Sequence, residues 1–157
     1  MPRVERIPEE SYRALAEFRH QIRRFLHFSE QAARAAGLEP RQHQLLLALK
    51  GRPAGAEATI GMLAKRLQLR HHSVVELADR LAERGLVRRR RDKRDRRQVF
   101  VDLTRTGERL LRELSRHHRT ELKSAGPALV AALQAIIEGT DEGALGTNRT
   151  RVGEPGA

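Results

Sequence analysis

The stretch Thr59–Thr104, TIGMLAKRLQLRHHSVVELADRLAERGLVRRRRDKRDRRQVFVDLT, decides the fold. Thr59 stands where its hydroxyl can cap a short helix, and Ile60, Leu63, Ala64 and Leu67 then fall on one face of it. Gln68–Arg70 leaves room only for a turn. A second helix follows with Val74, Leu77, Ala78 and Leu81 inward, and Gly85 supplies its stop. Beyond Leu86 and Val87 comes a basic run, then a charged turn over 92–97. Val99, Val101 and Leu103 alternate with Phe100 and Asp102, the period of a strand. Two short helices, a three-residue turn and a β-hairpin are together the parts of a winged helix-turn-helix.

Working outward, Ser11–Ala36 reads as one long helix, with Leu15, Phe18, Ile22, Phe25, Leu26, Ser29, Ala32 and Ala33 near a 3.6-residue period. Ser11 suits its N-cap and Gly37 its C-terminal cap. Pro40 opens a helix to about Lys50, followed by a Gly51–Gly55 loop. Downstream, Thr104 to about Ser124 and Pro127–Glu138 read as two more helices. The expected class is mainly α with a small β-hairpin wing. One domain is expected over 11–138, with the winged helix at about 40–104 and pairing helices at 11–36 and 105–138. A flexible start over 1–10 and a disordered tail over 139–157, rich in Gly, Thr, Asp and Asn, are expected to flank it.

The 157 residues carry a formal charge of +11 and only 3% aromatics, so the core must be aliphatic. Between Arg84 and Arg97, nine Arg and Lys face two Asp, a local +7. Charge so concentrated points to a polyanionic partner rather than to a general solubilising coat. The basic segment has no stacking aromatics, which disfavours single strands and leaves double-stranded DNA. With no cysteine, disulfides, thiolate chemistry and Cys-ligated zinc are excluded. The N-terminus lacks the apolar run of a signal peptide, and no stretch approaches eighteen apolar residues, so a cytoplasmic protein that avoids the membrane is expected. No phosphate loop, nucleophile elbow or His-Glu-x-x-His motif is present, and neither an enzyme nor a cofactor is expected.

The free face of the second short helix carries Arg70, His71, His72, Ser73, Val75, Glu76, Asp79 and Arg80. Its start is polar and small enough to enter a major groove. Glu76 either accepts a hydrogen bond from cytosine N4 or merely repels phosphate, and a structural or salt-bridged role is favoured for it. In the hairpin Arg90, Asp92, Arg94, Arg96 and Arg97 are the candidates, with Arg94 at the tip suited to a narrow minor groove. A sequence-blind architectural DNA binder is the alternative reading.

The ordered set Asp79-Arg80-Leu81, Gly85-Leu86-Val87, Asp92-x-Arg94-Asp95-Arg96-Arg97 and Val101-x-Leu103-Thr104-x-x-Gly107 resembles the MarR family of bacterial regulators. The resemblance covers about Ser11 to Glu138. It implies a homodimer built from the first and last helices, a pseudo-palindromic operator, and a repressor that responds to a ligand. It also implies that Asp79 orients a wing arginine and that Arg94, beside Asp92, enters the minor groove. The stretch Arg70–Glu76 departs from the family's usual small residues, so the operator does not follow from relatives.

Relatives often take a small aromatic ligand in a crevice beside the winged domain. A small aromatic or acidic effector is therefore expected here, with His20, Arg24, His27 and His43 as candidate ligand residues. A metal-responsive regulator of the same fold is a further alternative. Yet no two of the seven histidines stand at the i, i+4 spacing that would chelate from one helix, and no metal site is expected.

Overall fold

The structure, a computed structural model, describes residues 7–139. Its elements are α1 (Glu9–Ala35), α2 (Pro40–Lys50), α3 (Ile60–Leu67), α4 (His71–Glu83), β1 (Val87–Arg91), β2 (Val99–Leu103) and α5 (Arg105–Gly139). The class is mainly α with one two-stranded antiparallel sheet, as expected. Most of the flexible start and nearly all of the expected tail lie outside the described residues. The helix nevertheless opens at Glu9, so Ser11 is inside it rather than its cap, with its N–H donating to Pro8 O at 3.0 Å.

The chain divides into two compact units. Leu26–Glu121 forms one; among the described residues, 7–25 and 122–139 form the other. α1 and α5 each contribute to both, because a long helix meets different neighbours along its length.

The Leu26–Glu121 unit holds the aliphatic core. Leu45, Leu46 and Leu49 of α2, Leu63 of α3 and Leu81 of α4 are fully buried, joined by Leu111 and Leu114 of α5. Each such leucine contributes roughly 1.5–3 kcal/mol of burial free energy. In α4 the buried positions are Val74, Ala78 and Leu81, a single stripe that fixes which face is left outside. Thr59 caps α3, accepting from Met62 N at 3.1 Å. The turn to α4 pivots on Gln68, left-handed at φ 54°. Just past the end of α4, Gly85 (φ 68°) stops the helix, and Leu86 N donates to Leu81 O at 2.9 Å as the chain turns into β1.

The hairpin pairs Val87 with Leu103 and Arg91 with Val99. A third segment joins it: Thr59 bridges Phe100, and Val101 N donates to Ala58 O at 2.9 Å. The strict alternation expected of β2 fails at Phe100, which is buried although it lies opposite Val101. The Arg90 guanidinium covers its ring at 4.7 Å, so the second face is sealed by a cation rather than by the core.

The two terminal helices expected around residue 125 are one: α5 runs unbroken through Pro127. Proline leaves the carbonyl four residues back without its N–H partner. The alanines and leucines on either side, Leu122, Ala125, Ala128 and Leu129, are strong helix formers that carry the helix across the gap.

Candidate nucleic-acid interface

α4 presents the expected residues on its outer face. Arg70 takes the N-cap position in an extended conformation without a side-chain cap bond. His71, His72, Glu76 and Arg80 are exposed; Ser73 and Val75 are half-buried. The ion pair favoured for Glu76 does not form among the described residues. Packing explains this, because Val74, Ala78 and Leu81 turn Glu76 into open solvent.

The basic residues of the hairpin fall into two groups. Arg84 donates to Gly37 O at 2.7 Å, a strap across the α1–α2 turn. Arg89 pairs with Asp79 of α4 and so ties β1 to the helix. Arg90 donates to Glu57 at 2.8 Å, lies 3.4 Å from Asp102 and covers Phe100. The hydrogen bond to Glu57, with the nearby carboxylates, raises its pKa further. Arg90, expected as a DNA contact, therefore has its charge engaged inside the protein. In contrast, the side chains of Arg88, Arg91, Lys93, Arg94, Arg96 and Arg97 are exposed and have no hydrogen bond or ion pair among the described residues.

The tip is shaped by its two aspartates. Asp92 Oδ1 accepts from Arg94 N at 3.1 Å, and Asp95 Oδ1 accepts from Arg97 N at 3.0 Å. These are successive Asx turns, which explains why the Asp-x-Arg-Asp-x-Arg spacing recurs at the tip. Asp92 N donates to Gln98 O at 3.0 Å and closes the loop. Each aspartate accepts a backbone N–H through Oδ1, and neither pairs with an arginine side chain of the tip; these side chains stay outward.

Gly107 belongs to the same joint. A Cβ there would overlap the carbonyl oxygen of Leu86. Thr104 sits beside it, donating to Gly85 O at 2.7 Å and accepting from Gly107 N at 3.1 Å. The Thr-x-x-Gly of the motif thus lets α5 start against the strand that leaves α4. Sequence reasoning missed Arg89, Glu57 and Phe100 as parts of the wing's support. Period-two alternation separates Arg89 from Arg90, but only packing shows which of them faces α4.

Of the candidate ligand residues, His20, Arg24 and His27 are exposed on α1. His43 is 2% exposed, with its ring 4.8 Å from that of His118 and no partner for Nδ1. Burial, and then the neighbouring His118, lowers its pKa to about 4. His118 Nδ1 lies 2.7 Å from Leu114 O, which can only accept, so Nδ1 donates; Ser29 Oγ then donates to Nε2 at 2.8 Å. His43 is thus a member of the core between α2 and α5. No group of three His, Asp or Glu able to hold a metal ion occurs among the described residues. No helix among them is long and apolar enough to cross a membrane.

Comparison with known proteins supports the geometry. Residues 36–98 match the family model described as MarR family. AbsC, a MarR family transcriptional regulator from Streptomyces coelicolor, is 20% identical and superposes with a TM-score of 0.70 over 92% of this chain and 100% of its own. A MarR mutant from E. coli, 21% identical, gives 0.62 over 90% and 98%. A MepR mutant of S. aureus bound to an oligodeoxyribonucleotide, 20% identical, gives 0.59 over 82% and 92%. At such identities the likeness establishes the fold. No curated protein matches the sequence. Residues 36–98 are thus similar to the MarR family, and the described residues share the winged-helix fold of these solved structures.

Proposed function

We propose that this chain is a transcriptional regulator that recognises double-stranded DNA sequence-specifically, as a homodimer on a short pseudo-palindrome. One observation carries the reading. The exposed face of α4 is tied by the Asp79–Arg89 pair to a wing whose six remaining basic side chains have no partner in the described protein. A helix that fits a major groove and a rigid cationic hairpin beside it are held at one fixed spacing. His72, Ser73, Glu76 and Arg80 face the bases. Arg94, with Arg96 and Arg97, reaches the adjacent minor groove or its phosphates, while Asp92 holds the tip in shape. Arg90 supports the wing from within. That a similarly folded MepR mutant has been solved bound to an oligodeoxyribonucleotide supports DNA as the partner.

The homodimer is supported by apolar side chains left exposed on α1 and α5, among them Leu15, Val130 and Leu133. Repression relieved by a small aromatic or acidic effector is the family's habit, and exposed His20, Arg24 and His27 remain available for it. His43 is dropped from that set because of its burial. The hairpin aspartates are occupied as turn acceptors, which supports binding rather than catalysis.

The deciding experiment is selection from a random duplex library followed by competition. A regulator should prefer its selected site over bulk DNA by about 10³-fold or more. Equal affinity for both would leave the sequence-blind architectural reading in its place.

A further inference from the structure

Between the start of α4 and the returning limb of the wing lies a notch of about 280 Å³. Its floor is apolar, made by Ile60, Val75 and Val99, and its rim carries His71, Arg97 and Gln98. Gly61 lies along its wall, where a Cβ would meet only Thr59 Oγ1, at 3.9 Å. None of the three rim side chains has a hydrogen bond or ion pair among the described residues.

The position of the notch gives it a meaning. With α4 in a major groove and the wing in the neighbouring minor groove, one sugar–phosphate strand separates the two elements and must cross between them. The notch is a concavity on that path. Its apolar floor matches the face of a deoxyribose, and its rim offers nitrogen donors to phosphate oxygens, with Arg97 supplying fixed positive charge.

We propose that the notch seats one sugar–phosphate unit of the bound duplex, and that His71, Val75 and Arg97 position the DNA instead of reading its bases. The inference rests on the DNA-binding reading above and divides the exposed residues by task. Base readout by α4 falls to His72, Ser73, Glu76 and Arg80, while His71 and Val75 set the register of the helix in the groove.

The test uses the full chain and its selected duplex, with phosphates replaced one at a time by methylphosphonates. Wild type should lose about tenfold or more in affinity at one position per half-site, the size expected for one charge-assisted contact. Gly61→Leu, which adds bulk to the notch wall, should bind more weakly and lose sensitivity at that same position. Arg97→Gln should weaken selected and random duplex alike and lower the salt slope by about one. Gln98→Ala, at an exposed side chain, serves as a second variant should Gly61→Leu prove unstable to denaturant, and it should also weaken both duplexes alike. The proposal is overturned if the notch variants keep wild-type affinity and methylphosphonate sensitivity, or if they change base preference. If no sequence is selected at all, the regulator reading fails instead. The notch is then tested on arbitrary duplex through the affinity of the same variants.

Discussion

At the residue scale, Gly107 shows how a motif position acquires its identity. A side chain at 107 would run into the backbone of Leu86, which a well-packed interior cannot yield cheaply. Gly107→Ala should cost about 1–3 kcal/mol of stability, the usual range for overpacking, read as a lower denaturation midpoint at unchanged slope. An unaffected midpoint would mean that Leu86 moves freely. Arg94 is a different kind of residue: its backbone N–H is held by Asp92 while its guanidinium has no partner among the described residues. Arg94→Ala should leave stability within about 0.5 kcal/mol and lower the salt slope of DNA binding by about one. An unchanged slope would show that Arg94 touches neither phosphate nor groove. Both residues were legible in the sequence as members of an ordered set. That Gly107 is required by a carbonyl from another element was not, because no local propensity registers a neighbour distant along the chain.

At the scale of elements, the wing and α5 teach opposite lessons. The wing was readable because charge and period-two alternation are local, and its Asx turns follow from Asp at the right offsets. Its support was not, since whether Arg89 or Arg90 faces α4 depends on how the hairpin leans. In α5 the local signal misled, as Gly126-Pro127 reads as a break but lies within one helix. Pro127→Ala should restore the missing backbone hydrogen bond and stabilise the helix by up to about 3 kcal/mol. A raised thermal midpoint is the expected result. A midpoint unchanged by the substitution would argue that the helix is interrupted there.

At the scale of the whole molecule, the core contains an acid-sensitive element. His43 is held neutral down to about pH 4, whereas in the unfolded chain it titrates near 6.5. Above the unfolded value both states are neutral, so His43 adds no pH dependence. Between 6.5 and 4 only the unfolded chain takes up the proton, and stability falls as pH falls, by roughly 3 kcal/mol at the limit. His43→Phe should flatten that part of the stability–pH curve, measured as denaturant midpoints from pH 7 to 4. Equal slopes in variant and wild type would place the acid sensitivity elsewhere. Exposed Leu133 supplies the test of the proposed association: Leu133→Asp should yield monomers by sedimentation with poor DNA affinity, since a charge would enter the proposed apolar pairing surface. A variant that stays dimeric would put the interface on another face.

What the sequence by itself determined is the winged helix-turn-helix and where its charge lies. Helical and strand periods, the Thr59 cap, the Gly85 stop and the nine basic residues of 84–97 are written in neighbouring residues, and local chemistry reads neighbours. What only the tertiary structure decided is which of those charges remain without a partner among the described residues. Arg84, Arg89 and Arg90 are consumed by Gly37, Asp79, Glu57 and Asp102, and His43 is taken into the core. The physical reason is the same in each case. A long side chain's partner is set by which surfaces packing brings within hydrogen-bond reach, and that distance is not encoded in spacing along the chain.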